Sequence, residues 1–316
     1  MKIKLISALI AGIILAGCGS DSDSDDNIDK DKGKPSVVLA FDGAINGMQA
    51  TYSCDNGETG TTAGKTDGYG KVTIYNDTFA DKPESCSVEL SVPVGEKAID
   101  MSNGKDMSKV AYSIPKGLIK AGQTDIAATP FTTLITKTMQ ETGDTDIQTA
   151  KDSVFTSLGL DSSLTDEQKE GMLTNPQETL EALEKQDPKI AQDIVAKTVV
   201  LSDVLVSQKD DETVTVADIT AVTKTIAEDV IAKNPTYPKA SEGSNDIIVI
   251  DVSDVLADKD NFEQAAGGTV PPAVEDELTD PPVVPEAGLP DPENPPVEQP
   301  TPPTPGTGGG DGGITD

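Results

Sequence analysis

Fifty-five carboxylates, 24 lysines and three cysteines carry the reactive chemistry of this 316-residue chain, which has no histidine, arginine or tryptophan. Without histidine the chain lacks the commonest general base and metal ligand, and no side chain has an unperturbed pKa near neutrality. Without arginine it has no bidentate clamp for phosphate or carboxylate. A pair of acids working as in glycoside hydrolysis needs neither residue, yet among 55 acids almost any pair can be proposed. No Gly-x-Ser-x-Gly, His-Glu-x-x-His, Walker loop or zinc spacing is present. The sequence therefore assigns no catalytic residue, no metal ligand and no cofactor, and a non-enzymatic protein is expected. The net charge of −31 disfavours nucleic acid and anionic lipid as partners. An acidic surface whose only cations are lysines suits a saline exterior.

The cysteines divide by context. Lys2 and Lys4 precede an apolar run from Leu5 to Ala16, which leads into Leu15-Ala16-Gly17-Cys18-Gly19-Ser20. About a dozen apolar residues are too few for a permanent span, which needs roughly 20, so the layout is that of an export signal. Small residues running directly into a cysteine resemble the lipobox of bacterial lipoproteins. That resemblance implies cleavage after residue 17 and acyl chains, palmitate among them, on Cys18. Two or three chains on one residue make a stable anchor, each buried methylene contributing about 0.8 kcal/mol. In Gram-negative sorting an aspartate after the cysteine favours the inner membrane. Gly19 and Ser20 stand there instead, so the resemblance implies a lipid anchor in the outer membrane with the face left open. Cleavage would take away Lys2 and Lys4 and no acid, moving the charge from −31 to about −33.

Export to an oxidising compartment makes a disulfide the expected state of Cys54 and Cys86. By chain entropy, a closed loop of about 33 residues contributes roughly 3 to 4 kcal/mol. A reactive thiol pair is the alternative, but the spacing is not Cys-x-x-Cys.

The elements that position these residues fall into four parts beyond the leader at 1–17. Residues 18–34, with Asp21-Ser22-Asp23-Ser24-Asp25-Asp26, read as an acidic tether with too little to bury. An EF-hand is excluded, because Asp26 and Lys32 stand where that loop needs glycine and glutamate. Residues 35–128 carry short β-branched and aromatic runs at 36–41, 48–53, 71–75, 87–92 and 110–114. Turns at Asp55-Asn56-Gly57 and Thr66-Asp67-Gly68-Tyr69-Gly70 separate some of them. An N-terminal antiparallel β-sandwich is predicted. As a carbohydrate-binding module it would offer only Tyr52, Tyr69, Tyr75 and Tyr112 for sugar stacking, and buried or turn-packing tyrosines explain these equally well.

At residue 129 the period changes to 3.6. Thr129-Pro130 opens a helix that Gly143 closes; later starts lie at Thr165 with Gln168, Asn175-Pro176 with Glu178, Asp187-Pro188 and Thr215 with Asp218. The long helix after Asp187 presents Ile190, Ile194, Leu201 and Leu205 on one face. A small helical bundle over 129–260 follows, with a possible returning strand at 246–256. The acids Asp246, Asp251 and Asp254 of that stretch read either as part of a cation site or as solvated strand ends. Residues 261–316 include a proline-rich stretch (13 of 22 prolines lie in 271–305) and no lysine, and are predicted to be a disordered acidic spacer. The fold class expected is α+β as separate domains.

The lipobox, the acidic tether, Gly43-Ala44-Ile45-Asn46-Gly47, Thr66-Asp67-Gly68-Tyr69-Gly70 and Ala128-Thr129-Pro130-Phe131-Thr132-Thr133-Leu134 together resemble a broad group of bacterial surface lipoproteins. Their β domain is similar to carboxypeptidase-regulatory-like or immunoglobulin-like sandwiches, and a Thr-Pro-Leu-Thr-Thr-Leu type motif opens their helical part. Phe131 replaces the leucine of that motif. The resemblance covers residues 1 to about 210 and implies location and architecture, but no catalytic residue. It implies a membrane partner through the lipid and a further envelope or extracellular component, with the oligomeric state open. A carboxylate-based hydrolase acting on polysaccharide or peptidoglycan, and a carbohydrate-binding module, are the alternatives.

Overall fold

The computed structural model describes residues 33 to 296. The leader, Cys18, nearly all of the tether and residues 297–316 lie outside the described residues.

Each predicted strand is present within one residue of its expected bounds, and short pairings the alternation could not reveal are added. In chain order the strands of the first half are β1 (Pro35–Ala40), β2 (Ile45–Asn46), β3 (Gln49–Cys54), β4 (Thr59–Thr61), β5 (Lys71–Tyr75), β6 (Cys86–Ser91), β7 (Ile99–Asp100), β8 (Ala111–Ile114) and β9 (Ala127–Ala128), with a short helix α1 (Asp77–Asp81) between β5 and β6. One sheet runs β4-β3-β6-β8 and a second β5-β1-β9, while β2 pairs with β7. All pairs are antiparallel except β1 with β9, where Leu39 lies opposite Ala127. The purely antiparallel expectation is corrected there: the chain reaches β9 only after leaving β8, and it enters beside β1 in the same direction. Alternation sends Ala50, Cys54, Cys86, Val88, Leu90, Tyr112 and Ile114 inward, and leaves Thr51, Ser53, Ser87, Glu89 and Ser113 on the opposite face of the four-stranded sheet. Cys54 and Cys86 sit directly across β3 and β6 with Cα atoms 4.0 Å apart, and a disulfide joins them.

Helix α2 (Pro130–Thr142) begins with a capping box, Thr129 and Thr132 each accepting from the other's backbone N–H, and ends at Gly143 with φ of 67°. It also stitches the helices to the sheet, because Ser113 N–H at the β8 edge donates to Thr133 Oγ1 at 2.9 Å. The same hydroxyl donates to Thr129 O, which satisfies both of its roles. Helices α3 (Ile147–Ser157), α4 (Asp166–Thr174), α5 (Pro176–Gln186), α6 (Pro188–Ser207) and α7 (Val216–Lys233) follow. Capping boxes stand at Thr165/Gln168 and Thr215/Asp218. Asn175 makes no cap; its amide donates to Glu178 instead, at 2.8 Å. Phe131 fills the core at 5.7 Å from Phe155, ring to ring.

The long helix α6 departs from a one-faced stripe, since every residue from Ala196 to Leu205 is buried. Its far side is covered by the segment expected to be a strand, and the segment expected to be a tail packs on α7. The stretch 246–256 is not one strand: only β10 (Ile247–Ile248) is extended, and α8 (Ser253–Leu256) follows. Disorder over 261–296 is likewise corrected. Helices α9 (Lys259–Ala266) and α10 (Pro272–Thr279) place Phe262, Ala265, Val274 and Leu278 in the core, and β11 (Val283–Val284) pairs with β10. Proline content misled because Pro272 occupies a first helical turn, where its missing N–H is no loss. The segment then returns to the β half, where Tyr69 Oη donates to Glu293 at 2.7 Å. The buried residues of the β segment, the helices and this segment form one continuous hydrophobic cluster. Among the described residues no helix is long and apolar enough to cross a membrane.

Candidate functional site

Two features where the sheets meet the helices stand out: a buried polar cluster and the open groove beside it. The cluster gathers Asp42 from the β1–β2 turn, Asp100 from β7, Lys105 from the following loop, Tyr112 from β8, and Ser202 and Asp203 from α6. All of these carboxylates are buried. Lys105 Nζ bonds Asp203 Oδ1, donates to Ile250 O at 2.8 Å, and lies 3.8 Å from Asp251. Asp203 Oδ2 accepts from Val252 N–H at 2.9 Å. One ammonium thus pins α6, the loop after β7 and the chain just before α8 together.

Beside it, Tyr112 Oη donates to Asp42 Oδ2 at 3.0 Å and shares a 2.7 Å hydrogen bond with Ser202 Oγ. Asp42 Oδ1 has no partner among the described residues. Asp100 is better served: Ser102 N–H and Oγ donate to one oxygen, and the Asn103 amide to the other at 2.7 Å. Gly43 makes this approach possible, since a Cβ there would stand 2.5 Å from Ser102 Oγ and closer still to Asp100 Oδ1.

Three buried acids around one lysine cannot all ionise cheaply. Burial, then the neighbouring Asp100, pushes the Asp42 carboxyl well above the usual range. Asp100 is raised by burial, against the hydrogen bonds from Ser102. Asp203 is pushed up by burial to about 6 despite Lys105. For Lys105, burial pulls downward, but the Asp203 and Asp251 carboxylates more than offset it and its pKa rises. Burial, then Asp42, raises the Tyr112 hydroxyl well above its ordinary value. Tyr112 and Ser202 are each 1 % exposed. They lie at the base of the adjoining groove, and the observable work of the Ser202–Tyr112–Asp42 chain is to join β8, α6 and the turn after β1.

The groove lies over β3, β6 and β8 and is walled by α2 and the end of α6. Its volume is about 500 Å³, inside the roughly 300–1,000 Å³ range of small-molecule sites. Its lining is mixed: the hydroxyls of Thr51, Ser53, Ser87, Ser113 and Thr136 alternate with apolar side chains of β8, the loop after it and α6, and Lys109, Lys137, Lys209 and one acid, Glu89, border it.

The acids at 246, 251 and 254 do not converge. Asp251 faces Lys105, Asp254 pairs with Lys109 at 2.8 Å, and Asp246 accepts from Glu286 N–H at 3.2 Å. Of the tyrosines, Tyr112 is buried, Tyr52 half-buried against Phe79, and Tyr69 and Tyr75 exposed. Sequence reasoning missed Asp42, Asp100, Lys105 and Asp203. One signal was available, an aspartate inside the apolar run Val199-Val200-Leu201-Ser202-Asp203-Val204-Leu205, which requires a buried partner.

No protein-family model, no curated protein and no solved structure matches this chain.

Proposed function

We propose that this protein is a lipid-anchored, non-enzymatic component of the bacterial envelope, held in the outer membrane through acylated Cys18, and that its folded body acts by being displayed for binding or adhesion. The observation that carries the reading is Leu15-Ala16-Gly17-Cys18 directly after a short apolar leader and before an acidic tether. The Cys54–Cys86 disulfide fits an exported body. Two sheets that each turn one face into a shared core fit the sandwich-like β segment of surface lipoproteins, with the helical part beginning at Thr129. Two features weigh against a carboxylate-based hydrolase: the buried acids are covered, and they are tied to Lys105, Tyr112 and Ser102. The body's partner is an envelope or extracellular component; its acidity disfavours nucleic acid.

The test is Cys18→Ser in a Gram-negative host fed an alkyne-bearing palmitate. Label incorporation and outer-membrane fractionation are expected for the parent chain, with both lost in the variant. A parent chain that is unlabelled and recovered in the soluble fraction overturns the proposal.

A further inference from the structure

The groove described above carries a ligand class that neither the fold nor the leader indicates. Its floor is a grid of hydroxyls: Thr51 and Ser53 on β3 lie across from Glu89 and Ser87 on β6, and Glu89 across from Ser113 on β8. Neighbouring strands are about 4.8 Å apart and same-face residues about 7 Å apart along a strand. Each hydroxyl both donates and accepts. Such a lattice matches the hydroxyls of a polyol, and the apolar surface of Val110, Ala111, Pro115, Leu205 and Val206 in the same groove matches the C–H faces of sugar rings.

Charge narrows the class. In a chain with net charge −31, this groove is bordered by three lysines against a single glutamate. Lys137 and Lys209 make no ion pair among the described residues, whereas most lysines there do. Lys109 pairs with Asp254 only at the surface, both side chains being mostly exposed, so that pair can be exchanged for another anion. The three ammonium groups come from three places, the loop before β8, α2 and the turn just after α6. They surround the groove rather than converge on one point, which suits single charges distributed along a ligand.

We propose that the groove binds an acidic oligosaccharide of the uronic-acid type, with Ser and Thr hydroxyls meeting sugar hydroxyls and Lys109, Lys137 and Lys209 meeting carboxylates. The proposal deepens the display reading by naming the partner's chemistry. It is nevertheless tested separately, because sugar binding does not depend on where the anchor resides.

The experiment is isothermal titration of the full chain in non-ionic detergent with oligogalacturonate, with a neutral cello-oligosaccharide of equal length and with sodium sulfate. Oligogalacturonate is expected to bind, more weakly as salt rises, and the neutral sugar is not. The double variant Lys137→Gln/Lys209→Gln is expected to weaken binding by at least about fivefold, as loss of two partly exposed charge contacts implies. Glu89→Gln is expected to strengthen it, while Lys82→Gln/Lys185→Gln, at unpaired lysines outside the groove, should change nothing. Thermal midpoints of all variants verify folding. Absence of oligogalacturonate binding, equal binding of the neutral sugar, an unchanged double variant, or sulfate saturating the site as well as the uronate would each overturn the proposal.

Discussion

Replacing Lys105 with methionine tests the central polar cluster most directly. Methionine keeps much of the apolar stem and removes the ammonium that faces Asp203, Asp251 and Asp42. Breaking a buried pair from one side costs about 3 to 5 kcal/mol, because the remaining carboxylate must either stay buried as a charge or take up a proton. For a body of this size that lowers the melting temperature by roughly 6 to 15 °C. The pH dependence separates this cause from simple loss of packing. Asp203 titrates at about 6 in the fold against 3.8 in the open chain. The folded state therefore holds the proton more tightly, and the parent protein loses about 3 kcal/mol of stability as pH climbs from about 4 through 6. Without the ammonium the folded pKa of Asp203 rises further. At pH 7.5 the variant then carries an extra penalty of up to about 2 kcal/mol, from the interval between 6 and 7.5 at about 1.4 kcal/mol per unit. At pH 4.5 Asp203 is protonated in both proteins and that part vanishes. Urea unfolding of oxidised protein at the two pH values measures the difference. A penalty below about 1 kcal/mol at pH 7.5, or one identical at both values, would refute the reasoning.

Other expectations follow from the same structure. Cys54→Ser/Cys86→Ser, or reduction of the parent, should lower stability by about 3 to 4 kcal/mol, read by calorimetry with and without reductant. Gly43→Ala combines φ of +104° with overlap onto Asp100 and Ser102, and should destabilise by about 2 to 4 kcal/mol. Gly57→Ala, at φ of +88° with nothing nearby, should cost only about 1 to 2 kcal/mol by the same denaturation assay. A chain ending at residue 296 should melt within a few degrees of the parent. A chain ending at residue 260 loses Phe262, Ala265, Val274 and Leu278 from the core at about 1.5 to 3 kcal/mol for each large side chain, and should fail to give a cooperative transition. Equal melting of the two truncations would contradict the assignment of 261–296 to the folded body.

Local rules made much of this architecture legible. Strands at 36–41, 48–53, 71–75, 87–92 and 110–114 were readable because alternation reports a half-buried sheet. The helix starts at Thr129, Thr165 and Thr215 were readable because a cap is a contract among neighbours in the chain. Two cysteines in neighbouring β-type runs, read with the expected export, sufficed to expect a disulfide. The order of the Pro-rich stretch to residue 296 is not legible in composition, which counts residues, whereas order depends on where Phe262, Val274 and Leu278 find a surface; that surface is formed largely by α7, an element outside the stretch itself. The same limit hid the polar cluster. Asp42, Asp100, Lys105 and Asp203 span 161 positions, and nothing in any one segment announces that a single ammonium will serve them. Short-range chemistry thus determined the caps and the strands. Which charges became buried together, and which hydroxyls and lysines border one groove, was decided only by packing, because desolvation and pairing energies depend on distance in space.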